Sequence, residues 1–116
     1  MIKTYKDLKV YQKAYKSNLE IFQIIRKKLD REYAIKDQIL RASLSVVLNI
    51  AEGYGRKSTA DFKRYLTMSL GSTNEVIVLL EIIRDLNLLE KTQVEELIDR
   101  YQEIGKMLYR LRENWQ

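Results

Sequence analysis

The chain has 116 residues with no cysteine, no histidine and no proline, and a formal net charge of +5. Without thiolate or imidazole ligands no zinc, haem or iron-sulfur site is expected, so the sequence calls for no metal and no cofactor; the length fits one domain, residues 1–116, with a real core. Residues 1–64 hold 15 Lys and Arg against 7 Asp and Glu, a net of +8, and residues 65–116 hold 6 against 9, a net of −3, an asymmetry that suits an anionic partner such as RNA or DNA, a solubilising surface, or two oppositely charged faces that attract in an oligomer.

Only 4 glycines punctuate the chain, and so few breakers predict long helices joined by short turns. MIKTYKDLKVYQK lacks the apolar core of a signal peptide, and no stretch approaches the ~20 apolar residues of a membrane span, so the expectation is a cytoplasmic protein with no membrane partner. The first helix is expected from about Asp7 to Leu29, with Leu8, Tyr11, Tyr15, Phe22, Ile25 and Leu29 facing a core and Asn18 as a polar interruption. Lys6, Lys9, Lys13 and Lys16 repeat at helical spacing on the other side. Such a stripe can track phosphates, or it can be an ordinary solvated face. Arg26, Lys27 and Lys28 offset the negative end of the helix dipole.

A second helix is expected from about Ala34 to Glu52, carrying two apolar stripes: Ile35, Ile39, Ala42, Val46 and Ile50, and Leu40, Leu44, Val47 and Ala51. One stripe suffices for a core, so the second points to a central helix or to another subunit. Gln38, Arg41, Ser45, Asn49 and Glu52 form its polar strip. Gly53 and Gly55 are read as the stop, in the left-handed conformation that glycine adopts freely. Arg56 and Lys57 follow, and Ser58 caps a third helix, Thr59 to Asn87, whose core side is Phe62, Leu66, Thr73, Val76, Leu80 and Ile83. Lys63 and Arg64 lie off that side; Ser69, Gly71, Ser72 and Thr73 form a small-residue run suited to close packing on Ser45 and Asn49. Thr92 and Glu95 are read as a capping box for a fourth helix, whose seam is Val94, Leu97, Tyr101, Ile104, Leu108, Leu111 and Trp115. The fold class is all-α, an antiparallel up-down-up-down four-helix bundle.

No catalytic constellation stands out. Serine has no histidine base, AEGYGR lacks the Gly-Lys-Ser/Thr ending of a phosphate loop, and Glu52 stands at ion-pair spacing from Arg56. An enzyme is not expected.

The run QILRASLSVVLNIAEGYGRKSTADFKRYLTMSLGSTNEV and the opening YKDLKVYQKA resemble the four-helix-bundle proteins encoded in intervening sequences of bacterial 23S rRNA genes, also labelled S23 ribosomal proteins. The match runs from about Tyr5 to Leu89, with Asn49, Ile50, Ala51, Glu52, Gly53 and Arg56 its most specific part; Val47 stands where the family often has proline. The resemblance implies a bundle that assembles with itself into a ring, commonly a pentamer, with no known catalysis. A structurally similar group, the accessory variability determinant proteins of diversity-generating retroelements, implies nucleic-acid binding and a reverse transcriptase as partner. The candidate phosphate contacts are Arg56, Lys57, Lys63 and Arg64 first, then Lys6, Lys9, Lys13 and Lys16. Asn49, Glu52, Gly53 and Gly71 are candidates for architecture. The alternative is a protein-protein adaptor whose charge only steers assembly.

Overall fold

A computed structural model describes residues 1–116. The chain begins with a 3-10 turn, Tyr5–Asp7, closed at its start by two side chains. The Thr4 hydroxyl accepts from the Lys6 N–H at 3.0 Å, while the Asp7 carboxylate accepts from the N–H groups of Lys3 and Thr4 at 2.8 and 3.0 Å. Four helices follow: α1 (Lys9–Lys28), α2 (Tyr33–Tyr54), α3 (Thr59–Asp85) and α4 (Lys91–Asn114). Their short connections force each to run back along the last, and the result is the antiparallel four-helix bundle, a rod of 43 × 21 × 20 Å. Packing is closest between α2 and α3 and loosest between α1 and α4.

Each helix end has a local cause. Ser58 caps α3 by accepting the Asp61 N–H at 3.0 Å, as its position ahead of an acidic first turn implies. The other end of α3 closes through Asn87, the one non-glycine residue at positive φ (56°). The Asn87 N–H donates to the Arg84 carbonyl and the Leu88 N–H reaches back to the Ile83 carbonyl, both at 3.0 Å. This is the paired closure that a left-handed residue after a helix makes available. The capping box at Thr92 does not form: Glu90 is the cap residue of α4, with no side-chain bond, and Thr92 already lies inside the helix. The sequence pattern that misplaces it is a start signal set two residues late.

Gly53 and Gly55 do not stop α2 in the expected way. No glycine has a positive φ; Gly53 is a buried residue inside α2, and Gly55 ends the helix with right-handed angles, φ −72° and ψ −12°. Gly53 is needed instead for close approach. A Cβ there would stand 2.4 Å from the Tyr65 Cβ and 3.1 Å from the Phe62 ring. Gly71 is the opposite case: it is exposed, and a Cβ there would meet nothing within 4 Å. It is not a packing residue within the chain.

The core runs the length of the rod through Ile21 and Ile25, Ile39, Val46 and Ile50, Leu66, Val76, Leu80 and Ile83, and Leu97, Ile104 and Leu108. On α1 the buried stripe is Val10, Ala14, Ser17, Asn18, Ile21 and Ile25, displaced by one residue from the expected aromatic one in its first half. Tyr11 and Phe22 are half-buried and Tyr15 is 48 % exposed. Asn18 stays inside because its amide donates to the Ser43 hydroxyl at 2.9 Å, which donates in turn to the Leu40 carbonyl at 3.1 Å. On α2 the second stripe divides: Val47 is buried, Leu40 and Ala51 are half-buried, and Leu44 is exposed. The fourth-helix seam holds, with Trp115 edge-on to Phe62 at 4.9 Å.

One helix, α3, is long and apolar enough to cross a membrane by length and composition, contrary to the expectation that no stretch comes close. In the bundle its Leu66, Val76, Leu80 and Ile83 are fully buried and its Ser69 and Ser72 bond to α2, while Met68, Val78 and Ile82 stand exposed on its outer face.

The two glycines separate close approach from propensity. Gly53→Ala should lower unfolding stability by about 1–3 kcal/mol through overpacking on Tyr65, whereas Gly71→Ala should raise it by about 0.5–1 kcal/mol. Urea midpoints of the two variants check this, and equal shifts in one direction would contradict it.

Candidate nucleic-acid interface

The antiparallel order gathers the start of α1, the end of α2, the start of α3 and the end of α4 at one end of the rod. That end collects Lys3, Lys6, Lys9 and Lys13 with Arg56, Lys57, Lys63 and Arg64, and adds Arg110 and Arg112 from α4. Asp7, Glu52, Asp61 and Glu113 are the carboxylates there. A charge imbalance along the sequence becomes a basic end in space.

At the α2–α3 corner the arginines are engaged with the chain. Arg56 donates through Nη2 to the Tyr65 hydroxyl at 2.6 Å and to Glu52 Oε1 at 3.4 Å, and its guanidinium lies 5.1 Å from the Tyr65 ring centroid. Arg64 lies at the same distance from that ring and pairs with Asp61 Oδ1 at 3.4 Å. Two planar cations on one aromatic ring make a local clasp between α2 and α3. Lys57, exposed, and Lys63, half-buried, take part in no ion pair.

The lysine stripe is placed differently from its spacing. Lys6 sits in the 3-10 turn and precedes the helix, so it is not part of the rod's stripe. Lys9, Lys13 and Lys16 line an open groove of about 850 Å³ between α1 and α4, together with Gln12, Ser17 and Glu20 and, across it, Arg100, Glu103 and Met107. The groove exists because α1 and α4 are the least closely packed neighbours. None of the three lysines is ion-paired. At the inner end the Arg100 guanidinium spans to both Glu20 carboxylate oxygens at 2.5 Å. Beside it Tyr101 is fully buried, and its hydroxyl is the one buried side-chain polar atom without a hydrogen-bond partner. Burial pushes that phenol's pKa up, and the Glu20 carboxylate adds to the effect.

The remaining candidates are architectural. Glu52 pairs with Arg56. Asn49 donates to the Ser45 carbonyl and hydroxyl at 2.9 and 3.0 Å, and the Ser45 and Ser72 hydroxyls meet across the helices at 2.7 Å. Ser69 donates to the Val46 carbonyl at 2.8 Å, and Gln38 donates to Glu75. Of the polar strip of α2, Gln38 and Ser45 reach α3, and with the Ser69 bond to the α2 backbone they fix the register of the pair; Asn49 bonds within α2. The place of Arg100 in this groove was invisible in the sequence, because only the fold brings it opposite the lysines and pairs it with Glu20, 80 positions away.

Apolar side chains also stand uncovered. Leu48 is 61 % exposed, and Tyr15, Leu19 and Leu44 are exposed on α1 and α2, as are Met68, Val78 and Ile82 on α3. Leu48 shares a shallow pocket with Tyr5, whose ring continues to Tyr11 at 4.9 Å and on to Tyr15 at 5.9 Å.

The sequence profile of the 23S rRNA-intervening sequence protein family matches residues 6–110. A crystal structure from Bacteroides thetaiotaomicron, described as a protein of unknown function from the S23 ribosomal protein family, superposes with a TM-score of 0.85. It is 25% identical in sequence, over 90% of this chain and 99% of that one. No curated protein matches.

The arginine clasp has a measurable role. Arg56→Lys keeps the charge but loses the planar fork, and should lower unfolding stability by about 0.5–1 kcal/mol in a urea titration; an unchanged midpoint would show that the clasp holds nothing.

Proposed function

Because the chain belongs to the 23S rRNA-intervening sequence protein family, we propose that it is a non-catalytic helical bundle that assembles with copies of itself and holds RNA or DNA by its phosphates. The observation that carries this reading is the placement of Lys9, Lys13 and Lys16, unpaired, along one groove that opens toward the basic end. Charge neutralised by carboxylates within the chain has little left to offer a polyanion. Unpaired ammonium groups on flexible stems release the counterions of each phosphate they meet. Lys57 and Lys63 extend the surface around the end of the bundle, with Lys6 beside them. Arg56 and Arg64 rank behind the lysines because they would have to leave Tyr65, Glu52 and Asp61.

Self-assembly is supported by the uncovered apolar residues. A cyclic oligomer needs two different patches on each subunit, and Tyr15, Leu19, Leu44 and Leu48 form one while Met68, Val78 and Ile82 offer another. The same faces support a second reading, an accessory subunit or adaptor for another protein such as a reverse transcriptase, in which the charge steers docking.

Replacing Lys9, Lys13 and Lys16 together by Ala should weaken single-stranded RNA binding and reduce the slope of log affinity against log salt by about 2, from roughly 0.7 per phosphate contact. Fluorescence anisotropy at several salt concentrations measures both, and an unchanged slope overturns the groove as the contact. For assembly, Leu44→Glu with Leu48→Glu should reduce the light-scattering mass to that of one chain. A wild-type protein already at that mass, which retains a protein partner after nuclease treatment, would favour the adaptor.

A further inference from the structure

We infer that the α1–α4 groove is a discrete binding site for a compact oligophosphate, the group carried by a nucleoside triphosphate or by the 5′ end of an unprocessed RNA. This deepens the phosphate-binding reading at one place on the surface and rests on it for the chemistry alone. Lys9, Lys13 and Lys16 span eight residues of one helix, about 10 Å of rise, and lie within a sector of about 60°. Their four-carbon stems let the ammonium groups converge on one anion. The cationic stretch is short. Past Lys16 the groove reaches the closed Glu20–Arg100 pair, and Glu103 stands on the opposite wall. An extended backbone following the groove inward would meet those carboxylates, whereas a ligand with three or four charges in a small volume fills the basic part and stops.

The floor is built for a polar occupant. Ser17 is 2 % exposed, and Gln12 is the neutral polar group at the open end. Met107 is the only apolar side chain in the lining, so the groove has no surface on which to stack a base and reads phosphate alone.

Inorganic tripolyphosphate is the probe, titrated into the intact protein by calorimetry. The expected result is saturable binding of one equivalent per chain, weakened by about tenfold or more in a Lys13→Ala, Lys16→Ala variant. It should be retained in a Lys27→Ala, Lys28→Ala variant, which removes the same charge from exposed positions at the far end of α1. Equal loss in both variants, or no saturation, overturns the site. General RNA binding that persists without a tripolyphosphate site would sink this inference and leave the broader reading standing. Two further arms identify the source. A 5′-triphosphate RNA that outcompetes its 5′-hydroxyl counterpart supports the site through the RNA end, and displacement of tripolyphosphate by a nucleoside triphosphate alone supports it through the free nucleotide.

Discussion

The close approach of α2 and α3 is the constraint on which the rest of the molecule depends. It is possible because Gly53 places no Cβ against Tyr65 and because the polar atoms trapped between the helices find one another. Small hydroxyl side chains do the pairing, so the backbones can come near without stranding a donor in the interior. Once that pair is fixed in register, α4 packs along α3 through an uninterrupted apolar seam. Helix α1 closes the bundle through the slim stripe of Val10, Ala14 and Ser17. The loosest seam, between α1 and α4, is left as the place where the surface opens into a groove. Tight packing on one side and a polar opening on the other are thus two results of one distribution of side-chain size.

Arginine and lysine divide the cationic surface by their chemistry. A guanidinium is planar and offers a fork of donors, so near an aromatic ring and a carboxylate it becomes part of the fold, as Arg56 and Arg64 do around Tyr65 and Arg100 does with Glu20. The ammonium group of lysine is strongly hydrated and sits on a mobile stem. Lys9, Lys13, Lys16, Lys57 and Lys63 remain outside any ion pair, and their charge is available to something other than the protein itself.

The helices, their order and the cap at Ser58 were legible in the sequence, because the periodicity of apolar residues and the position of a serine before an acidic turn are local properties. What failed depended on distant neighbours. A helical repeat defines a face only to within about one residue, or 100°, so bulky Tyr11 and Tyr15 displaced small Val10 and Ala14 as the expected core. Glycine signals either freedom of φ or absence of Cβ, and only the location of Tyr65 shows that Gly53 is the second kind; Gly71 is neither, since nothing approaches it. The left-handed turn belongs to Asn87, which carries no strong signal amid leucines. In the candidate site the spacing of the lysines and the cluster Arg56, Lys57, Lys63 and Arg64 were visible, while the partners that engage Arg56 and Arg64, Tyr65 above all, depend on how the α2–α3 corner folds.

The end of α4 offers a different kind of access to this molecule. Trp115 is the sole indole of the chain, and it is wedged edge-on against Phe62 at 4.9 Å and Tyr54 at 6.2 Å. Its two neighbours come from the end of α2 and the first turn of α3, so three helix termini meet at one chromophore. Tryptophan emission, excited selectively over the eight tyrosines, is therefore a one-site optical gauge of the basic end: fraying of the last turn, separation of the α2–α3 corner or an occupant settling over that end alters the same emission band, while events at the opposite pole leave it unchanged.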